Sequence, residues 1–283
     1  MTSPTELRRL LAKYDVRPSK RLGQSFLIDG NIVAKTLAAA AVGAEDRVFE
    51  VGPGAGALTA ALADAAGEVV ALELDRRLVE LLDATIGAAP NVRIAQGDIL
   101  KVDVRDLLGG GTWKLLANLP YSIVGPTVAK LVAHRKMFPL MVLMVQREVA
   151  ERLTARPGTR QYGTLSVLAQ AHMTVGAAAQ VGRGCFYPQP EVDSTLVRLN
   201  VREDPVVEKG LEDTFTTVVR AVFRQRRKTL LNALTAAEEL GLTREDGGRV
   251  IAEAGIDSGL RPGVLSPAEF AALARVLRDS AAQ

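Results

Sequence analysis

The sequence predicts an α/β protein in which a parallel sheet carries helices on both faces, followed by a small all-helical domain. Three observations support this fold class. Between residues 47 and 155, near-continuous apolar runs alternate with segments of helical periodicity, as expected for parallel strands that are buried on both faces. A glycine-rich segment at 52–56 follows the first apolar run and precedes a helical segment. After about residue 205, only helical periodicity remains.

The chain begins with a basic segment. Residues 1–21 carry six Lys or Arg against two acidic residues. They predict a basic arm, for which a solvated helix is the simpler interpretation. Residues 31–42 then predict a helix that is capped by Asn31 or Asp29.

The alternating region contains five predicted strands and four predicted helices. The strands are the apolar runs at 47–52, 68–75, 92–98, 113–120 and 139–146. The helices have apolar residues at helical spacing and cover 57–66, 76–86, 124–134 and 147–155. Pro126 lies near the first turn of the third helix, where proline is tolerated.

A domain boundary is predicted after the last strand. Residues 194–201 alternate between apolar and polar side chains and predict a strand, and the polar, proline-containing segment 202–210 follows it. We therefore expect a first domain over residues 1–204, including the basic arm, and a helical domain over 205–283. The helices predicted in the second domain cover 211–223, 228–240, 244–255 and 266–280.

Composition excludes several classes of protein. Hydrophobic residues make up 48% and charged residues 24% of the 283 residues, as in an ordered globular protein. The single Cys185 excludes an internal disulfide, and no Cys/His cluster predicts a metal site. There is no signal-peptide pattern and no run of about 18 apolar residues, so we expect a cytoplasmic protein with no membrane span. The net charge of +3 permits a nucleic-acid partner without requiring one.

The segment "EVGPGAG" at 50–56 predicts a ligand-binding turn. Glycines let the backbone turn tightly and approach a ligand closely, and amides at the start of the following helix favour an anionic group. The pattern Gly52-x-Gly54-x-x-Ala57 also satisfies a relaxed dinucleotide fingerprint. The loop alone therefore leaves the ligand open.

Acidic residues follow the second and third predicted strands. Glu73 stands where it can accept hydrogen bonds from ribose hydroxyls, and Asp98 stands where it can accept one from an adenine amine. Two carboxylates suit the sulfonium cation of S-adenosylmethionine better than the pyrophosphate of NAD. They favour S-adenosylmethionine over a dinucleotide or a purely structural loop. With that ligand, we expect the sheet to be of the Rossmann-like class I S-adenosylmethionine methyltransferase type.

The fourth predicted strand ends in Asn118-Leu119-Pro120-Tyr121, at the sheet edge where ligands of open α/β folds bind. An aromatic amine is a poor nucleophile because its lone pair is delocalised into the ring. The Asn118 side-chain oxygen and a backbone oxygen near Leu119 or Pro120 can hold the amine hydrogens and aim the lone pair. Pro120 fixes the loop, and Tyr121 offers a face on which a base can stack. The alternative is a proline-stabilised loop with a surface tyrosine.

These residues carry a family resemblance. "NLPY" resembles the amino-methyltransferase signature of ribosomal RNA adenine N6-dimethyltransferases, whereas DNA adenine methyltransferases more often have Pro-Pro-Tyr with an acid in front. The resemblance extends over nearly the whole chain. The other matching segments are "KRLGQSFLID" (20–29), "MVQREVAERL" (144–153), "YGTLSVLAQ" (162–170), "CFYPQPEVDSTLVRL" (185–199), "VFRQRRKTLLNAL" (222–234) and "RPGVLSPAEFAAL" (261–273).

The resemblance implies roles for individual residues. Ser25 and Leu27 are expected to close over the methionine part of S-adenosylmethionine. The rest of the cofactor is expected to be bound by Gly52, Gly54, Glu73, Asp98 and Asn118. Ser25 departs from the family, which usually has Asn there, and the shorter side chain makes this contact less secure. Phe186 is expected to form the second aromatic wall of the target pocket, beside Tyr121, with a core phenylalanine as the alternative.

The family has several branches. The small-subunit branch, of the KsgA/RsmA type, dimethylates two adjacent adenosines in the 3′-terminal hairpin loop of 16S ribosomal RNA. The Erm type acts on 23S ribosomal RNA. The helical tail with "LRPGVLSPAEFAAL" resembles the first branch. It implies 16S ribosomal RNA in an immature 30S subunit as partner. Nothing in the sequence suggests an interface between copies of the chain, so we expect a monomer. The alternatives are an Erm-like enzyme, a non-enzymatic ribosome-assembly factor and a DNA amino-methyltransferase.

A local basic cluster lies in the helical domain. It comprises Arg220, Arg224, Arg227 and Lys228, and the first three are spaced to share one face of a helix. Such a cluster is typical of a surface that grips RNA phosphates. A solvated helix face is the alternative.

Overall fold

The structure is a computed structural model that describes residues 3–19, 23–119 and 123–281. The chain forms two compact units. The first comprises the residues up to 150 together with 175–201, and the second comprises 151–174 and the residues from 202 onward. Residues 151–174 thus pack with the C-terminal helices, whereas the sequence-based division places them in the first domain. The functional division at 204/205 remains a prediction.

The secondary structure follows the expected alternation. The helices up to residue 170 are α1 (Pro4–Lys13), α2 (Gly30–Ala40), α3 (Ala57–Ala65), α4 (Arg76–Thr85), α5 (Val104–Leu108), α6 (Val124–Ala133), α7 (Arg147–Thr154) and α8 (Thr164–Gln170). The strands are β1 (Phe26–Leu27), β2 (Arg47–Val51), β3 (Glu68–Glu73), β4 (Val92–Gln96), β5 (Lys114–Asn118), β6 (Leu140–Gln146), β7 (Met173–Val181), β8 (Phe186–Tyr187) and β9 (Ser194–Val201). The remaining helices are α9 (Glu212–Arg224), α10 (Leu230–Thr235), α11 (Arg244–Glu253) and α12 (Pro267–Ala281).

The central sheet has seven strands in the order β4-β3-β2-β5-β6-β9-β7. The first five are parallel to one another, which confirms the predicted parallel sheet. Strand β9 pairs antiparallel with β6, from Leu140 opposite Asn200 to Gln146 opposite Ser194. The parallel strands all end at one edge, so residues 73, 98 and 118 follow or end strands at the same side of the sheet.

Strands β2, β3, β5 and β6 are largely buried because both faces of the sheet are covered there. Six of the seven residues of β6 are buried, and Val48, Phe49 and Leu115 are inaccessible to solvent. Burying each such side chain contributes about 1.5–3 kcal/mol. The sheet is therefore a rigid support for the loops at its carboxyl edge.

The N-terminal segment docks on this unit through an apolar stripe. Helix α1 buries Leu7 and Leu11 in a cluster with Phe26, Leu78 and Leu81. Its arginines and Lys13 face solvent. The predicted basic arm is therefore an amphipathic helix that packs against α4.

Two local features refine the sequence-based expectations. Asp29 is the N-cap of α2, since its Oδ1 accepts hydrogen bonds from the amides of Asn31 (2.8 Å) and Ile32 (3.3 Å). A separate two-stranded ribbon joins β1 to β8, with Phe26 opposite Tyr187 and Leu27 opposite Phe186.

The second unit has its own core. Tyr162, Phe215 and Phe270 are fully buried in it, and the Tyr162 hydroxyl donates to the Leu265 carbonyl at 2.8 Å. Helix α9 ends at Arg224 and Thr229 caps α10, so the expected shared helix face is wrong for Arg227. Like charges crowded in "RQRRK" disfavour continuing the helix.

Candidate functional site

A pocket opens at the carboxyl edge of the parallel strands in the first unit. Its walls come from the N-terminal segment, the loops after β2, β3, β4 and β5, and β8. Its lining includes Gln24, Ser25, Leu27, Glu50, Gly52, Gly54, Glu73, Asp98, Asn118, Leu119 and Phe186. The structure therefore brings together every predicted cofactor-binding residue. Pro120 and Tyr121 lie outside the described residues.

The glycine loop requires its glycines for steric reasons. Gly52 has φ +73°, and a Cβ there would lie 3.2 Å from the backbone oxygen of Asn118. Gly54 has φ +59°, and a Cβ there would lie 3.0 Å from Cδ1 of Phe26. Larger residues would be strained and would narrow the pocket.

Glu73 is held by three backbone amides. Its Oε1 accepts from Leu74 (2.8 Å) and Asp75 (2.9 Å), and its Oε2 accepts from Gly54 (3.0 Å). Burial raises the pKa of Glu73, while these amides act in the opposite direction. A carboxylate has about four acceptor positions, so about one remains for a ligand hydroxyl.

Asp98 follows β4 and is partly buried. Its Oδ1 accepts from the amide of Leu100 at 2.9 Å, and its backbone oxygen accepts from Lys101 and Val102. This turn fixes the carboxyl group at the pocket wall. The carboxyl group keeps acceptor capacity for a ligand amine.

Asn118 ends β5 and points into the pocket. Its Nδ2 lies 3.4 Å from the backbone oxygen of Ser25, and its Oδ1 makes no hydrogen bond within the described ranges. The Leu119 amide donates to the Met144 carbonyl at 3.2 Å, which anchors the start of the loop. The Asn118 side-chain oxygen is therefore available as an acceptor.

Ser25, Leu27 and Phe186 meet where β1 pairs with β8. Leu27 and Phe186 are buried partners in the ribbon, and both line the pocket. The Ser25 hydroxyl donates to the Pro188 carbonyl. In this structure Ser25 therefore links the N-terminal segment to the loop that carries Phe186.

Sequence reasoning missed Glu50 as a pocket residue. It is only 2% exposed and lines the pocket, and its Oε2 has no hydrogen-bond partner among the described residues. Burial raises the pKa of Glu50 to about 8, and the charge of Glu73 acts in the same direction. An acid inside an otherwise apolar strand is the signal that could have identified it.

The donor set fits S-adenosylmethionine. Three carboxyl groups, those of Glu50, Glu73 and Asp98, line the pocket, and no Lys, Arg or His appears among the described lining residues. A pyrophosphate would lack a cationic partner there, whereas a sulfonium or ammonium cation would face the acidic side chains of Glu73 and Asp98. Glu50, with a pKa raised to about 8, holds its proton at neutral pH. The glycine cradle leaves room for such a ligand.

The basic cluster lies in the second unit and is exposed. Arg220 and Arg224 lie on α9, while Arg227 and Lys228 lie in the following turn. Arg224 forms an ion pair with Glu239. The cluster therefore combines a helix end with a turn.

Three further arginines, Arg156, Arg160 and Arg261, are exposed near this turn and were missed from the sequence. Arg226 donates to the Thr159 carbonyl at 3.0 Å and packs beside Gly263, and the Gly158 amide donates to the Gly263 carbonyl at 2.8 Å. These contacts join segments 155–161, 225–228 and 261–264, which are too far apart in sequence for local pattern to connect them.

The described residues contain neither a candidate metal site nor a candidate membrane-spanning helix. No group of three or more His, Cys, Asp or Glu there is arranged to hold a metal ion. No helix there has the length and apolar character to cross a membrane.

Comparison with known proteins gives consistent matches. The family model described as ribosomal RNA adenine dimethylase matches residues 17–250. Ribosomal RNA small subunit methyltransferase A of Pelotomaculum thermopropionicum is 46% identical, over 100% of this chain and 99% of that protein. The protein of the same name from Moorella thermoacetica is 44% identical, over 98% of this chain and 99% of that protein.

Solved structures match in fold. A dimethyladenosine transferase from Plasmodium falciparum gives a TM-score of 0.75 at 25% identity, covering 90% of this chain and 98% of that one. The 23S rRNA methyltransferase ErmE gives a TM-score of 0.68 at 24% identity, covering 89% and 99%.

Proposed function

The chain belongs to the ribosomal RNA adenine dimethylase family and is an rRNA adenine dimethyltransferase, and from that premise we propose its substrate, cofactor and site residues. The substrate is 16S ribosomal RNA, in which the enzyme dimethylates the N6 amines of two adjacent adenosines of the 3′-terminal hairpin loop. The relatives at 44–46% identity carry small-subunit names, which favours 16S over 23S RNA.

The cofactor is S-adenosylmethionine, which supplies an electrophilic methyl group when bound. The observation that carries this proposal is the pocket with three carboxyl groups and no described cation in its lining. The Glu73 carboxyl group accepts a hydrogen bond from a ribose hydroxyl, and the Asp98 carboxyl group accepts one from the adenine amine. Gly52 and Gly54 let the ligand approach the backbone, and Ser25 and Leu27 cover its methionine part.

Asn118 positions the target amine. Its free Oδ1 accepts one N6 hydrogen, and the carbonyl of Leu119 or Pro120 accepts the other. Pulling these hydrogens out of the ring plane localises the lone pair on the nitrogen. The amine becomes acidic as it is methylated and gives its proton to water, so no strong general base is required. Most of the acceleration then comes from holding the two reactants in line.

Aromatic side chains hold the target base. Tyr121 and Phe186 form the two walls, and stacking contributes roughly 1–3 kcal/mol per base. The adenosine is splayed out of its loop to reach them. The buried ribbon position of Phe186, opposite Leu27, supports its role as a fixed wall of the target pocket.

The helical domain at 205–283 binds RNA. Arg220, Arg224, Arg227 and Lys228 grip phosphates, joined by the exposed Arg156, Arg160 and Arg261. Phosphate contacts supply affinity and orientation, and base selection belongs to the pocket. We place the enzyme in the cytoplasm as a monomer that acts on an immature 30S subunit.

The first experiment compares cells with and without this protein. Mass spectrometry of the 3′ end of small-subunit RNA is expected to show two dimethyladenosines only when the protein is present. Modified 23S RNA with unchanged 16S RNA would instead identify an Erm-like enzyme.

The second experiment separates enzyme from assembly factor. Asn118→Ala is expected to lower methyl transfer to immature small subunits at least about 100-fold, on the scale of losing one positioned polar group. Binding to the particles should persist. Asn31→Ala, on the exposed start of α2, is the matched control. Normal transfer by Asn118→Ala would exclude the assigned role, and transfer to duplex DNA in preference to RNA would exclude the proposed substrate.

A further inference from the structure

Gln24 connects the N-terminal segment to the acidic end of β3. Its Nε2 donates to Oδ2 of Asp75 at 2.9 Å, and its Oε1 accepts from the amide of Ser19 at 2.8 Å. The Gln24 amide also donates to the Ser19 carbonyl at 3.1 Å. Since Ser19 presents a donor, the Gln24 oxygen must face it, and the NH₂ group must face Asp75.

Asp75 connects Gln24 to the cofactor pocket through a second hydrogen bond. Its Oδ1 caps α4 by accepting from the Arg77 amide at 3.1 Å. Its own amide donates to Oε1 of Glu73 at 2.9 Å. One residue thus joins Gln24 to the proposed ribose-binding carboxylate.

The segment that Gln24 fastens covers the pocket. Gly23, Gln24, Ser25 and Phe26 all line the pocket. Three described contacts tie Gln24 and Ser25 to distant parts of the chain: the Gln24–Asp75 bond, the Ser25–Pro188 bond and the 3.4 Å contact from Asn118. Of these three, the bond to Asp75 is the one that reaches the side of the pocket formed by β3.

We propose that Gln24 is a positioning residue that fastens the N-terminal segment over the cofactor pocket through Asp75 and thereby controls cofactor affinity. Loss of this bond loosens residues 23–26 where they line the pocket, so the bound cofactor dissociates faster. The methyl-transfer step is unaffected once the cofactor is bound, because Gln24 contacts neither reacting atom. This inference rests on the proposed cofactor, S-adenosylmethionine.

A reciprocal swap tests the pair. Gln24→Glu places two carboxylates face to face, and Asp75→Asn places two NH₂ groups face to face. The double variant restores complementarity, because the new carboxylate at position 24 accepts from the Ser19 amide and from the new NH₂ group at position 75. The side-chain oxygen that remains at position 75 still caps α4. Gln24→Met, of similar size, removes both bonds without adding charge.

The readouts are the dissociation constant for S-adenosylhomocysteine by calorimetry and the kcat and KM for methyl transfer. Each single variant is expected to weaken binding about 10-fold and raise the KM for S-adenosylmethionine, with kcat within about 2-fold of wild type, since a charge-assisted bond is lost. The double variant is expected to return to within about 3-fold. Asn31→Asp, exposed at the start of α2, controls for added charge.

Three outcomes overturn the inference. Wild-type affinity in Gln24→Glu and Gln24→Met would show that the bond does not control binding. A double variant as weak as the singles, or a kcat that falls with affinity, would assign the effect to general disruption. If the wild-type protein bound no S-adenosylhomocysteine, the proposal of S-adenosylmethionine as cofactor would be wrong. That result differs from normal binding by both wild type and variants, which would contradict only the role of Gln24.

Discussion

The backbone amide of Gly54 donates a 3.0 Å hydrogen bond to Oε2 of Glu73, which fastens the glycine loop after β2 to the acid that ends β3. Glu73 therefore has a structural task in addition to its proposed task in cofactor binding. Both tasks depend on an acceptor at the same carboxyl group. Substitution at this position is expected to affect folding and binding together.

Glu73→Gln is expected to lower the free energy of unfolding by about 1–3 kcal/mol, because its NH₂ group must face a backbone donor that it cannot satisfy. Affinity for S-adenosylhomocysteine is expected to fall about 10-fold or more. Urea unfolding and calorimetry measure the two effects. Glu80→Gln, whose exposed partner is Arg76, should change neither. A stable Glu73→Gln protein with normal affinity would contradict both tasks.

Glu50 should make stability depend on pH. Its pKa is raised from 4.5 to about 8, so between these values only the folded state holds the proton. The free energy of unfolding contributed by Glu50 therefore falls as pH rises through this window, by at most about 1.4 kcal/mol per pH unit. Urea unfolding from about pH 5 to about pH 8 should show this slope in wild type. Glu50→Gln should lack it, and Glu45→Gln, at an exposed position, should retain it.

Gly54→Ala should destabilise the glycine loop. The positive φ and the 3.0 Å approach of Phe26 predict a loss of about 1–2 kcal/mol and weaker cofactor binding. Gly248→Ala is the matched control, because it lies inside α11 with open space around its Cβ position. It should gain roughly 0.5–1 kcal/mol from helix propensity. Equal thermal midpoints for the two variants would contradict the steric argument.

The turn after α9 should carry phosphate contacts. Arg227→Ala with Lys228→Ala is expected to weaken binding to 16S RNA about 10-fold and to reduce the slope of log affinity against log salt by roughly 1–2. Affinity for S-adenosylhomocysteine should not change. Arg249→Ala, whose side chain pairs with Asp246 elsewhere in the second unit, is the control. An unchanged salt slope would remove these residues from the RNA surface.

Replacing Ser25 with Asn should preserve cofactor affinity better than replacing it with Ala. Ser25→Ala loses the hydroxyl that donates to Pro188 and is expected to lower cofactor affinity by about 0.5–1.5 kcal/mol. Ser25→Asn keeps a donor and restores the residue usual in the family, so it should bind at least as well as wild type. Calorimetry with S-adenosylhomocysteine ranks the three proteins. Equal affinities would mean that this link does not reach the cofactor.

The sequence correctly predicted the positions of those site residues that follow directly from the order of the parallel strands. Parallel strands end at one sheet edge, so Glu73, Asp98 and Asn118 could be expected together before any coordinates. The apolar runs also identified each of the five parallel strands. Neither conclusion needs knowledge of contacts between distant segments.

Sequence reasoning failed where distant contacts decide. Strand β7 (Met173–Val181) was missed because its Ala- and Gly-rich sequence is largely exposed and lacks the usual apolar signal. The Gln24–Asp75 bond and the neighbours of Arg226 join segments that no local pattern relates. Arg227 was wrongly placed on one helix face with Arg220 and Arg224, although the helix predicted over 211–223 ends before it, as α9 does.

The pairing of Leu27 with Phe186 has a consequence for biosynthesis. The two walls of the pocket that meet in this ribbon leave the ribosome at very different moments. At roughly 5–20 residues per second, the nascent chain must wait on the order of ten seconds after Leu27 for its partner strand. The glycine loop and Glu73 are made early, but they cannot enclose a ligand until the polypeptide is about two-thirds synthesised. Cofactor binding thus becomes possible only late in the synthesis of each new chain.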